Sequence, residues 1–221
     1  MVKSIFITGT GTDVGKTYAC GLLAKHLKDQ NIDCGYYKPV LSGAIESPQG
    51  LIAGDCDFVI KTAGLKQDAL ESCTYLFKDT VSPHLASRNI SVTIDENKIF
   101  DDYKKKVNDY LIVEGAGGIT CPLRLDYLMS DLIKDLNLPI IIVADSGLGM
   151  INSLLLTIEY ARTRNIKISG IILNNFIYNN DMYEDNLKTV ETLTKVPVIG
   201  IIERNNNKID FKIDNILEVF E

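Results

Sequence analysis

The stretch FITGTGTDVGKT, residues 6 to 17, decides the fold. The apolar run Ile5-Phe6-Ile7 closes on Thr8-Gly9, and a helix-period pattern begins at Lys16. A strand, a glycine-lined bend and a helix start, in that order, turn the bend's backbone amides toward an anion at the helix N-terminus. Two ligand classes share that physics. A dinucleotide turn would use Gly9, Gly11 and Gly15, and wants an acidic residue about 20 positions on, at the end of the second strand. That strand reads Tyr36-Tyr37-Lys38-Pro39. A P-loop wants a lysine for the terminal phosphates and a Ser or Thr for magnesium directly after the last glycine. Lys16 and Thr17 meet that demand, although Gly9 lies six residues before Gly15, one more than the usual spacing.

Outward from this bend, strand-length apolar runs alternate with helical segments: KSIFIT, a helix from about Lys16 to Lys28, CGYYK, and later DYLIVE, PIIIVAD, ISGIILNN and VPVIGII. This is βαβ patterning. Consecutive apolar positions within the runs predict a parallel sheet covered by helices on both faces, with ligands at the strands' carboxyl ends. The expectation is one α/β domain over 1–221, a mostly parallel sheet of P-loop type. Regularity weakens between Gly43 and Asn108, where the pattern predicts short helices near 55 to 63 and 94 to 107 with loops between. The tail after Glu203 reads as a loop before a short C-terminal helix, with its Asn triplet as a turn.

Composition narrows the function classes. The chain has 221 residues, 46% hydrophobic and 24% charged, as in soluble globular domains. No leader or membrane-length apolar run is legible, so a cytoplasmic location is expected. Five cysteines without a Cys-x-x-Cys pair predict neither a zinc site nor a disulfide framework. A net charge of −6 argues against a nucleic-acid surface, and Lys104-Lys105-Lys106 reads as a solvated helix face.

The P-loop's longer spacing is similar to that of dethiobiotin synthetases, whose G-T-x-T-x-V-G-K-T stretch matches Gly9 through Thr17. YKPVLSG (37 to 43), SPHLASR (82 to 88), VEGAGG (113 to 118) and GLGMINS (147 to 153) resemble that family's further blocks, in its order and over most of the chain. One departure lies in the loop, where Gly11 stands in place of an often acidic residue.

Lys16 at a helix start opposes the macrodipole unless an anion is bound beside it. Glu114 follows Leu111-Ile112-Val113 and precedes Gly115, which places it at a strand's carboxyl end. The resemblance implies magnesium ligation by Thr17, Asp55 and Glu114. By chemistry alone Asp55 could equally cap a helix. Asp145 is a rival strand-end carboxylate outside the family pattern. Lys38 puts a second cation at the sheet's carboxyl edge, and the resemblance implies that Lys38, Ser42 and Thr12 contact the reacting end of the substrate. ATP would be held by Gly11, Thr12, Asp13, Val14, Gly15, Lys16 and Thr17, by Glu114, Gly115, Gly117 and Gly118, and by Asn174 at the base. Leu148, Gly149, Met150, Ile151 and Asn152 open another helix, and the resemblance implies that they grip the substrate's distal carboxylate from the partner subunit of a homodimer.

The implied reaction joins 7,8-diaminononanoate and CO2 as a carbamate, phosphorylates it from ATP, and closes the cyclic urea with the second amine. It needs no enzyme nucleophile, and His26 and His84 read as structural. The late loop that reads adenine in the family commonly carries a proline, whereas here Glu203 is followed by Arg204-Asn205-Asn206-Asn207. That departure predicts weak discrimination among nucleotides. Competing readings are a nucleotide-switch ATPase of the cell-division or plasmid-partition type, a dinucleotide dehydrogenase and an amide-forming synthetase. The switch ATPases carry an extra lysine early in the loop, where this chain has Thr10, Gly11 and Thr12.

Overall fold

A computed structural model describes residues 2–221. Its centre is an eight-stranded sheet that β1 (Lys3–Gly9), β2 (Cys34–Ser42), β5 (Cys73–Phe77), β6 (Tyr110–Glu114), β9 (Ile140–Asp145), β10 (Ile168–Phe176), β11 (Val198–Glu203) and β12 (Ile209–Phe211) build in the order β12-β11-β10-β9-β1-β6-β2-β5. Every pairing is parallel except β11 with β12. Two small hairpins, β3 (Ile45–Ser47) with β4 (Gly50–Ile52) and β7 (Pro122–Arg124) with β8 (Tyr127–Leu128), lie outside it.

The sheet separates two cores. Along β1, Ile5 and Ile7 face one side with α1 (Lys16–Asp29) and α2 (Gly54–Ala63), while Phe6 faces the other with α5 (Met129–Asp135), α6 (Met150–Thr163) and α7 (Asp181–Thr194). Period-two alternation assigns each strand residue to its core. Helix α1 forms because Ala19, Cys20, Leu22, Leu23, Ala24 and Leu27 recur on one buried face. It ends at Gln30 and a left-handed Asn31, φ 60°.

β1 lies between β6 and β9, and the next strand in sequence, β2, lies beyond β6. Connections from β1 and β9 therefore part on either side of β1, which opens a crevice at the carboxyl ends of the strands. The P-loop fills this position.

The segment 43–108 holds more structure than its patterning predicts. Hairpin β3–β4, strand β5 and α3 (Pro83–Asn89) occupy regions expected as loops, and α4 runs Glu96–Lys104, stopping short of residue 107. The Asp95 side chain caps α4 by accepting from the Asn97 amide at 2.9 Å. Strand β2 does not end at Lys38. Its Cys34–Tyr37 half pairs with β6 and its Lys38–Ser42 half with β5, so Pro39 lies just past the change of neighbour, where a missing N–H leaves the β6 pairing intact. At the C-terminus β12 precedes a short 3₁₀ helix, Ile216–Phe220.

Candidate functional site

The bend between β1 and α1 holds two residues with positive φ, Asp13 (59°) and Gly15 (93°). Gly15 caps α1 without a side chain, and a Cβ there would stand 2.0 Å from Asn174 Nδ2. Glycine is therefore demanded both by conformation and by space. The first turn of α1 carries no acidic residue, so its amides face the crevice without a local anion.

Lys16 is 7% exposed and folds back to donate to the Gly11 carbonyl at 2.9 Å. Burial holds its ammonium below the ordinary lysine pKa, against the opposing field of Glu114. Gly118 brings the β6–β7 loop against the P-loop, where a Cβ would lie 3.3 Å from the Gly9 carbonyl. Gly115 continues the sheet by donating its amide to Ile7 O.

Glu114 ends β6 fully buried. Its Oε1 accepts from Thr17 Oγ1 at 2.7 Å and Lys38 Nζ at 2.5 Å, and its Oε2 accepts from Tyr36 OH at 2.6 Å. Lys38 Nζ also donates to Asp55 Oδ2 at 2.6 Å. Burial works to depress the Lys38 ammonium, but Glu114 and then Asp55 outweigh it and raise its pKa. The lysine thus stands as a counterion between two carboxylates. Asp55, in the first turn of α2, is half-exposed and opens to the cleft.

These groups converge on one cavity of about 800 Å³, whose wall includes Thr12, Asp13, Gly15, Lys16, Thr17, Lys38, Ser42, Asp55, Glu114 and Gly117. Several wall residues were given no role from the sequence: Tyr18, Phe58, Ala116 within VEGAGG, Cys121 and the Thr80–Pro83 segment that leads into α3. SPHLASR is a family-like block, but nothing in its composition says that Ser82 and Pro83 face the cleft. Tyr18 ties the first turn of α1 to the loop after β11, since its hydroxyl donates to the Asn206 carbonyl at 2.7 Å.

Other expected positions lie off this wall. Asn174 is buried below the bend and donates from Nδ2 to the Val14 carbonyl at 3.1 Å. Leu148, Gly149, Met150, Ile151 and Asn152 form a separate surface at the start of α6, where Leu148 is 93% exposed and the Met150 side chain is buried. The Met150 amide is engaged by the Gly147 carbonyl. Asp145 does not line the cavity and accepts from the Gly147 amide and from Asn175 Nδ2. His84 pairs with the Ser82 hydroxyl and His26 packs on Phe211.

The donors around Glu114 are hydroxyl and carboxylate oxygens, the hard set that suits Mg²⁺, and the Lys38 ammonium shows that a cation is accommodated between them. Among the described residues no helix is long and apolar enough to cross a membrane.

The family model described as an AAA domain matches residues 3–209. The chloroplast FtsY structure from Physcomitrella patens shares the fold, with TM-score 0.51 at 14% identity; the match covers all of this chain and 64% of that one. The ATP-dependent dethiobiotin synthetase BioD of Brachyspira hyodysenteriae is 45% identical, with both chains covered in full. Its namesake from Clostridium botulinum strain Alaska E43 is 42% identical over all of this chain and 99% of the other. With a phosphate-binding bend at the sheet's switch point and full-length identity of this order, the chain belongs to the ATP-dependent dethiobiotin synthetase family.

Proposed function

We propose that the protein joins 7,8-diaminononanoate and CO2 at the expense of ATP, giving dethiobiotin, ADP and phosphate, the penultimate step of biotin biosynthesis. The observation that carries this reading is the meeting of Lys16, Lys38, Thr17, Asp55 and Glu114 in one cleft at the mouth of a P-loop. Two cations there fit a multiply charged anion, and no covalent nucleophile is required of the protein.

In this reading the bend amides of residues 11 to 17 and Lys16 hold the β- and γ-phosphates. Binding replaces the Gly11 carbonyl by phosphate oxygens as the partner of Lys16. Thr17, Asp55 and Glu114 would hold Mg²⁺, which would neutralise charge on the transferred phosphoryl group. Lys38, which lies between Asp55 and Glu114 in the cleft wall, would hold the carbamate oxygen, with Ser42 and Thr12 beside it. One amine of the substrate adds to CO2 and gives up a proton, the carbamate oxygen takes the phosphoryl group as ADP leaves, and the second amine attacks the carbonyl carbon and gives up a proton as phosphate leaves. Positioning and charge neutralisation are the protein's share of the work.

Leu148 through Asn152 lie apart from the cavity of their own chain, which supports their serving a partner's cleft in a homodimer. The amides of Ile151 and Asn152, at the start of α6, are then the donors for the distal carboxylate. Asn174, next to Gly15, is assigned to the nucleotide base, together with the Arg204–Asn207 loop that Tyr18 anchors. We assign the protein to the cytoplasm.

Mass spectrometry tests the assignment. The cyclic urea should form only when diamine, bicarbonate, Mg²⁺ and a nucleoside triphosphate are all present. Phosphate release at full rate without the diamine would instead mark a nucleotide switch and refute the proposal.

A further inference from the structure

Behind the cleft floor lies Tyr36, fully buried and two positions before Lys38 on β2, so both side chains leave the same face of the sheet. Its ring packs in the core beneath α1 and does not reach the cavity wall. Its hydroxyl reaches Glu114 Oε2 at 2.6 Å. The two oxygens of Glu114 therefore have different neighbours. Oε1 meets Thr17 and Lys38, both of which line the cleft, whereas Oε2 meets a phenol sealed inside the sheet.

A carboxylate with two unengaged oxygens can turn about its terminal torsion, which is broad and roughly two-fold. A small octahedral cation such as Mg²⁺ tolerates little of that variation. Groups that hydrogen-bond a ligating carboxylate from behind fix its orientation. Tyr36 has that placement, and its own position is locked by complete burial among side chains of the α1 core.

We propose that Tyr36 is a positioning residue for the metal: by holding Oε2 of Glu114 it keeps Oε1 aimed into the cleft. The proposal rests on the assignment of Glu114 to Mg²⁺ above. A purely structural tyrosine would lend stability through its ring and leave metal binding unchanged.

Tyr36→Phe keeps the ring and removes the donor. Mn²⁺ serves as the probe, titrated into the full chain with ADP and followed by electron paramagnetic resonance. The half-saturating Mn²⁺ concentration should rise about 10- to 100-fold, the range seen when a ligand's outer partner is lost. ADP affinity without metal should stay as in the wild type, and 4-aminophenylalanine at position 36, which retains an N–H donor, should restore metal affinity. In a Glu114→Gln background Tyr36→Phe should have no further effect. Unchanged Mn²⁺ affinity in Tyr36→Phe, or an equal loss in both backgrounds, would overturn the positioning role alone. Wild-type Mn²⁺ affinity in Glu114→Gln would overturn the metal assignment and the positioning role together. Should Tyr36→Phe fail to fold, the Tyr36 hydroxyl proton in the native chain gives the answer by NMR. Its resonance should shift on Mg²⁺ addition, and an unmoved resonance would refute the role.

Discussion

Replacing Lys38 by Met removes a cation and keeps most of the side chain's bulk. In the ligand-free protein Lys38 is held between Glu114, which is fully buried, and Asp55, whose side chain is 42% exposed. The two halves of this arrangement carry different weights. The Asp55 half is screened by solvent and contributes at most about 1 kcal/mol. The Glu114 half is sealed, and removing one partner of a sealed pair costs about 3–5 kcal/mol because the remaining charge is left uncompensated. Glu114 keeps two hydroxyl donors, Thr17 and Tyr36, which places the expected loss at the lower end, about 3 kcal/mol. In a chain of this size that corresponds to a fall in Tm of about 6–12 °C. Calorimetric unfolding of the Lys38→Met variant without nucleotide or metal measures it. A Tm within about 2 °C of the wild type would show that Lys38 is not the internal counterion of Glu114, and the charge argument would fail.

Lys16→Gln should lose most turnover while unfolding no earlier than the wild type, because Lys16 is a buried cation whose protein partner is a single carbonyl; a folded variant with near-normal phosphate release would remove Lys16 from catalysis. Glu114→Gln should shift the Mg²⁺ activation curve to higher concentration, and an unchanged curve would take Glu114 out of the metal site. Initial rates with ATP, GTP and CTP should be of the same order, since the late loop lacks the proline of the family pattern; a strong preference for ATP would refute this. Burial raises the Cys34 thiol to about 11, so folding favours its protonated form and the associated stability is lost as pH rises from about 9 toward 11. Cys34→Ala should therefore lose less stability than the wild type across that window in urea unfolding, and equal losses would refute the assignment.

The alternating runs from Ile5 to Ile202 made the parallel sheet legible, because buried parallel strands carry apolar residues at successive positions. Strand β5 was not legible. Its CTYLF is a short segment whose strand state is imposed by pairing with the second half of β2, a long-range contact that no local pattern carries. Thr17 was readable from the motif and Glu114 from its strand-end position; Lys38 was expected at a strand end but lies in mid-strand, and the three meet through hydrogen bonds. Tyr36 escaped notice because it reads as one more apolar strand residue. The signal available was its spacing from Lys38, which fixes a shared face of β2. Tyr18 escaped for a similar reason, as its role depends on a loop nearly the whole chain away, at Asn206.

If the proposed function is right, this P-loop cleft holds the triphosphate beside the carbamate that it phosphorylates. A crystal structure with Mg²⁺, a non-hydrolysable ATP analogue and the diamine tests it directly. The terminal phosphates should lie against the amides of residues 11 to 17, with Lys16 Nζ moved from the Gly11 carbonyl onto phosphate oxygen and Lys38 Nζ turned toward the diamine. Phosphates bound elsewhere on the protein, with Lys16 still on Gly11, would contradict it.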